Sequence, residues 1–213
     1  MAHSDDTVPG VGALSHRERV LLAGADPSDA SRSLVDAALA DRDPKVRAAA
    51  LGAMERQGRL SSAALIAGLA DPDPAVRARA AQLSTHGGDE VVPSLIGCLD
   101  ATTHVAVAAL VALGDRVALE ALDAVLATAA STDDPLVLEE AVATLGALGD
   151  PAGLPVVLAA TEGKPALRRR SVAALGGFEG DEVERALDRL ADDRDWQVRQ
   201  AVALLRRPPL SGA

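Results

Sequence analysis

Carboxylates are the most plentiful reactive groups in this 213-residue chain, with 31 Asp and Glu against 21 Lys and Arg. Two carboxylates held across a cleft serve acid and base catalysis when their surroundings push their pKa values apart. Here Asp26, Asp29, Asp41, Asp43, Asp71, Asp73, Asp192, Asp193 and Asp195 instead recur in short polar segments between apolar runs. Acids in such places cap helices and close turns. The four histidines, His3, His16, His86 and His104, are scattered, and no His-Glu pair occurs. A metal site needs clustered ligands, so none is assigned. Cys98 lies in the apolar run LIGCLD among Leu95, Ile96 and Leu99. A nucleophilic thiol needs exposure and a base, so this one reads as a buried structural group. No phosphate-cradling or dinucleotide-binding glycine motif is present, and Gly87-Gly88 and Gly176-Gly177 lack the upstream strand such motifs need. The reading therefore assigns no catalytic, cofactor-binding or metal residue, and no cofactor.

Basic residues gather toward the C-terminal half: Arg168, Arg169, Arg170, Arg194, Arg199, Arg206 and Arg207. They could form a phosphate-facing strip whose binding weakens with salt. A net charge of -10 and the presence of only one Trp, one Phe and no Tyr oppose that use, and nucleic-acid binding ranks last of the readings. No apolar run approaches a membrane span, which argues against insertion. One cysteine permits no intrachain disulfide, and Met1 to Gly12 lack a secretory pattern. A cytoplasmic protein with a disordered leader over 1-12 and a short tail over 208-213 is expected.

The elements that position these groups follow from an internal repeat. A Val or Leu opening a helix-forming segment recurs at Val46, Val76, Val105, Val137, Leu167 and Val198, at spacings of 30, 29, 32, 30 and 31. About ten residues before each lies another apolar run of helical period. Pro44, Pro74, Pro135 and Pro165 fall where the second helix should begin, a position at which the missing N-H costs nothing. Asp43, Asp73 and Asp134 precede three of them as N-caps. Gly58, Gly87, Gly114, Gly149 and Gly176 are expected to close helices in the left-handed conformation. The predicted pairs are 31-40 with 44-57, 60-70 with 74-85, 89-99 with 103-113, 116-130 with 135-148, 151-161 with 165-177, and 180-190 with 195-206. A helix near 15-23 belongs to an N-terminal cap over 13-30. Repeat boundaries are placed at 31-58, 59-88, 89-114, 115-149, 150-178 and 179-207. Ala-rich second helices permit close packing, and Leu51, Leu83, Leu110, Leu145, Leu175 and Leu204 should fill the core. One hairpin of this size cannot bury its apolar face alone, so neighbours must stack.

The segments DPDPAVRARAA and DRDPKVRAAALGAM resemble the second-helix motif of bacterial HEAT repeats, especially the short type also found in phycobilin lyases. The resemblance spans about 31-206 and implies an all-α, right-handed α-α superhelix, an alpha solenoid of about six HEAT-like helical-hairpin repeats, with the second helices lining its groove. It does not carry an activity, because such repeats occur in scaffolds, lyases, hydroxylases and DNA glycosylases. The dinuclear hydroxylases among them depend on repeated His-Glu motifs, which this chain lacks.

Basic residues stand at one phase of four repeats, Arg47, Arg77, Arg168 and Arg199, each six positions after an acid, Asp41, Asp71, Glu162 and Asp193. These are assigned as structural contacts within and between repeats, as the resemblance also implies. The central repeats depart: Ala106 and Leu138 take the Arg phase, Thr132 replaces an acid, and Asp100 lacks its Arg. Glu139 and Glu140 share a phase with Arg169 and Arg170 one repeat later, so Glu139 should pair with Arg169 and Glu140 with Arg170. Leu136 and Leu138, bordered by Glu139, Glu140, Arg168, Arg169 and Arg170, read either as inter-repeat packing or as an apolar contact patch for a partner helix or peptide. Trp196 beside Arg199 reads either as a cap on the last repeat or as a binding anchor. The function expected is a non-enzymatic protein-binding scaffold or adaptor for a protein or peptide. The alternative is a lyase-like or enzyme-accessory protein holding a small molecule in the groove.

Overall fold

The computed structural model describes residues 14-207. The leader over 1-12 with His3, and the tail with Pro208 and Pro209, lie outside the described residues. Every regular element among the described residues is a helix, and two compact units divide at Arg59 and Leu60.

In the first unit, α1 (His16–Ala23), α2 (Asp29–Ala38) and α3 (Pro44–Arg56) pack pairwise. A reciprocal pair starts α1: Ser15 accepts from the Glu18 amide while the Glu18 carboxylate accepts from the Ser15 amide. The end of α3 is tied back to the other two helices. Arg56 donates to the Leu21 carbonyl and Gln57 to that of Ala23, and Arg59 forms an ion pair with Asp36 at 2.8 Å. Gly58 closes α3 with φ 64°, which lets the Arg59 amide reach the Met54 carbonyl.

The second unit repeats one hairpin five times: α4 (Ser62–Leu69) with α5 (Pro74–Leu83), α6 (Val92–Ile96) with α7 (Thr103–Asp115), α8 (Leu122–Ser131) with α9 (Pro135–Leu148), α10 (Leu154–Ala160) with α11 (Pro165–Leu175), and α12 (Asp181–Ala191) with α13 (Trp196–Leu205). The second helices pack in chain order, α5 on α7, α7 on α9, α9 on α11 and α11 on α13. They form one continuous layer, with the first helices as the other. Leu65, Leu95, Leu110, Leu113, Leu145 and Leu175 are fully buried. The proline starts hold throughout: Pro44, Pro74, Pro135 and Pro165 open their helices, and Asp43, Asp73 and Asp134 accept from the amides of Lys45, Ala75 and Leu136.

The helix stops differ from the sequence reading. Gly149 is left-handed, but Gly87 is extended, Gly176 is right-handed, and Gly114 lies inside α7. The left-handed residue after α7 is Val117, with φ 52°, and the amide after it reaches back to the Leu113 carbonyl. This displaces the expected start at 116: the chain makes a 3-10 turn at Leu119–Ala121 and enters α8 only at Leu122. A β-branched residue in that region is strained. Because Val117 is mostly exposed, Val117→Gly is expected to raise stability by about 1 kcal/mol, read as a melting temperature higher by about 2–4 °C.

Leu204 also departs from its assignment. It is 60% exposed, while Val202 is buried in its place; no described helix follows α13 to cover that face. A further packing device was not foreseen. Where α9 crosses α11, a Cβ on Gly146 would run into Ala174 Cα, and one on Gly177 would run into the Gly146 carbonyl oxygen. Two glycines thus let two backbones touch.

Candidate binding surface on the second helices

The helices α9, α11 and α13 pack side by side in one layer and start at one repeat phase: Asp134 and Pro135 open α9, Pro165 opens α11 after Lys164, and Asp195 caps α13. On α9, Leu136 is 59% exposed and Leu138 half-buried. Trp196, the first residue of α13, is 61% exposed. Between α9 and α11 lies a recess of about 310 Å3, lined by Glu139, Ala166, Arg169, Arg170 and Ala173. The surface therefore offers two large apolar side chains with a charged recess between the helices that carry the pattern.

The charge pairing holds in one case and changes in the other. Arg170 pairs with Glu140 at 3.1 Å, whereas Arg169 donates to Gln197 Oε1 of α13 at 2.6 Å, reaching forward to the next hairpin instead of back to Glu139. A register argument based on matching phases on α9 and α11 could not see a neutral acceptor on α13. Burial pushes the Glu140 carboxyl above its usual range, and the Arg170 charge offsets only part of that. A raised folded-state pKa means that stability is fullest below the unfolded value and is lost as pH rises through the folded one. Glu140→Gln is accordingly expected to raise the melting temperature near pH 7 and to leave it unchanged below about pH 4; melting curves across pH check both.

The Asp and Arg residues at the repeat phase have a common geometry. Arg47 donates to the Asp41 carbonyl at 2.8 Å, Arg77 to that of Asp71 at 2.8 Å, and Arg199 to that of Asp193 at 2.7 Å. The carboxylates of Asp41, Asp71 and Asp193 accept the amides two residues on. Each arginine thereby staples its own turn through a backbone carbonyl, while the acid shapes that turn. Arg168 does more. It donates to the Gly163 carbonyl and makes a two-pronged pair with Asp193 of the next hairpin, both prongs 2.8 Å. That hydrogen-bonded guanidinium holds the Asp193 carboxyl below the ordinary carboxylate range. Glu162 pairs not with Arg168 but with Arg189, at 3.3 Å on the exposed surface, where such a pair contributes about 0.2–1 kcal/mol.

Sequence reasoning passed over Arg116, which stands outside the repeat phase. Its guanidinium donates to the Ser84 and Gly87 carbonyls, both at 2.8 Å, and pairs with Asp89 at 3.0 Å. It joins the end of α5 to the exit of α7. Cys98 is buried with its thiol toward the Leu69 carbonyl, and burial pushes its pKa up. Phe178 is half-buried, with Gly153 beside its ring. Among the described residues no three His, Cys, Asp or Glu gather closely enough to hold a metal ion, and no helix is long and apolar enough to cross a membrane.

Residues 31–106 match the family model for HEAT repeats. No curated protein matches the chain. Among solved structures, it is similar to the complex of CpcE and CpcF of phycocyanin lyase from Nostoc sp. PCC7120, with 19% identity over 96% of this chain and 97% of that one and a TM-score of 0.53. It is also similar to computationally designed armadillo repeat proteins for modular peptide recognition, with 14% identity over 88% of this chain and 97% of that one and a TM-score of 0.52. Identities this low speak to fold alone. Together with the recurring hairpins they make this chain an all-α repeat protein of the alpha-solenoid class, with HEAT repeats across residues 31–106.

Proposed function

We propose that the chain is a non-enzymatic, cytoplasmic scaffold or adaptor that binds a protein or peptide on the second-helix layer of its second unit. The observation that supports this reading is the exposure of Leu136 and Trp196 at the starts of α9 and α13, in the same helix layer as the recess of Glu139, Arg169 and Arg170. Large apolar side chains ringed by charge suit partner recognition, in which an aromatic or aliphatic anchor is buried and the polar rim fixes orientation. The packed helices hold these groups in place before a partner arrives, which lowers the ordering cost of association. Leu138 is half-buried on the same helix, Glu140 is engaged by Arg170 across α9 and α11, and Arg168 and Arg199 are occupied in holding the turns. The designed armadillo proteins with a similar fold are described as recognising peptides, and the phycocyanin lyase complex pairs two proteins; both uses accord with a binding role.

A photo-crosslinking residue placed at 136, at 196 and, as a control, at the exposed Glu182 of the first-helix layer tests the proposal in native extract. The expected result is one protein product shared by positions 136 and 196, absent at 182 and lost on adding Leu136→Asp to the position-196 probe, with circular dichroism unchanged. Equal labelling at all three positions, or a co-purifying small molecule with no protein product, would overturn it.

A further inference from the structure

The same recess recurs between consecutive hairpins, and one copy lacks the group that occupies the other. Between the fifth hairpin of the Val/Leu series and the sixth, a recess of about 390 Å3 is lined by Thr161, Glu162, Arg168, Arg189, Leu190, Asp193 and Arg194. The Arg168 guanidinium lies in it, held by the Gly163 carbonyl and the Asp193 carboxylate. Between α6–α7 and α8–α9 a recess of about 410 Å3 is lined by Asp100, Thr128 and Thr132, which match Glu162, Arg189 and Asp193 by repeat phase, and by Thr102, Thr103 and Asp134 beside them, among others. Here Ala106 stands at the phase of Arg168 and Thr128 at that of Arg189. No cationic side chain lines this copy. The carbonyl of Asp100, equivalent to the Asp41, Asp71 and Asp193 carbonyls that each receive an arginine, receives none.

The lining is rich in acceptors. The Thr103 hydroxyl donates to the Asp134 carboxylate, Thr128 to the Ala124 carbonyl and Ser131 to the Ala127 carbonyl, so these hydroxyls spend their hydrogens locally and keep lone pairs to offer. The Asp134 carboxyl lies below its ordinary range because it accepts from Thr103 and from the Leu136 amide, and it stays ionised at neutral pH. Asp100 adds an exposed second charge. A planar cation with several N-H donors satisfies such a set better than a spherical ion does; the chain's own guanidinium takes its carboxylate from Asp193, whereas here Thr132 holds that phase and the carboxylate comes from Asp134, two residues on.

We propose that the recess bounded by Asp100, Thr103, Thr132 and Asp134 is a binding site for a guanidinium group supplied from outside the chain, seated where the other turns carry their own arginine. The site lies in the turns between helices and does not depend on the second-helix surface being a partner face.

The test titrates full-length protein with three probes, following backbone amide resonances: acetyl-arginine amide, its uncharged isostere acetyl-citrulline amide, and agmatine. Saturable shifts centred on Asp100 to Thr103 and on Ser131 to Asp134 are expected with the arginine probe, and at least tenfold weaker ones with citrulline. Tighter binding of the arginine amide than of agmatine would identify a partner's side chain as the source, and the reverse a free small molecule; either supports the shared chemistry. Ala106→Arg should fill the recess from within and abolish the shifts. Asp100→Asn, which leaves the packing intact, should weaken them severalfold should Ala106→Arg fail to fold. Equal response to arginine and citrulline, or shifts spread evenly over the acidic surface, would sink the assignment. These outcomes are independent of the crosslinking pattern at 136 and 196.

Discussion

Gly146→Ala is expected to destabilise the second unit by about 1–3 kcal/mol, in the range for forcing a methyl into a closed helix contact. In isolation the substitution should favour α9, since Ala exceeds Gly in helix propensity by about 1 kcal/mol. The contact reverses that sign. The new Cβ would meet Ala174 Cα, which is backbone and cannot swing aside as a flexible side chain could. Only separation of α9 from α11 relieves it, and that loosens Leu145 and Leu175, both fully buried in neighbouring helices. Gly114→Ala is the control, because a Cβ there meets Ala147 and Thr144 only at ordinary contact distances, 3.5 Å or more. Chemical denaturation should show a lower midpoint for Gly146→Ala and a neutral or slightly raised one for Gly114→Ala. A stabilising Gly146→Ala would mean that the two helices do not approach in this way.

The second large effect is expected at the Arg168–Asp193 pair. Arg168→Met should cost about 2–3 kcal/mol, between the value of a charged hydrogen bond and that of a wholly buried ion pair. The side chains are 7% and 11% exposed, so removing the guanidinium strands a carboxylate with little water to receive it. The pH dependence has a definite sign. Asp193 titrates below its ordinary value when folded, so the pair's stabilisation is complete above the unfolded carboxylate pKa of about 3.9 and is lost as pH falls through the lower folded value. The gap in stability between native protein and Asp193→Asn should therefore be widest near neutrality and shrink in acid. Glu140→Gln should differ in the opposite sense, the variant being the more stable near neutrality and the difference vanishing in acid, which makes the two variants an internal check on each other.

The repeat was legible because its signals are local. A proline at the first helical position and an aspartate before it act within one turn, so Pro44, Pro74, Pro135 and Pro165 locate helix starts without any tertiary information. Stops were less legible. A glycine only permits the left-handed conformation, and after α7 packing imposes that conformation on Val117 while Gly114 stays helical. Contacts between hairpins were the least legible. Glu140 met Arg170 because both sit at the same phase on adjacent helices, but Arg169 found Gln197, Thr103 found Asp134, and Arg116 found two carbonyls near the end of α5. Those partners depend on how far a side chain reaches across a layer, which spacing along the chain does not encode. The closeness of α9 and α11 at Gly146 was hidden for the same reason.

The patch at the starts of α9, α11 and α13 was visible in outline as a departure from the repeat pattern at Leu136 and Leu138 and as a lone Trp196. What spacing could not supply was exposure: Leu136 and Trp196 project, while Leu138 is half-covered. The loss of arginine at Ala106 was also visible, yet its meaning depended on the recess that the missing side chain leaves.

Hydrogen exchange on the protein with its crosslinked partner, compared with the free chain, tests the binding surface most directly. The account predicts slowed exchange confined to the first turns of α9, α11 and α13, with α8, α10 and α12 unchanged. Protection concentrated on the first-helix layer, or none on the second, would contradict it.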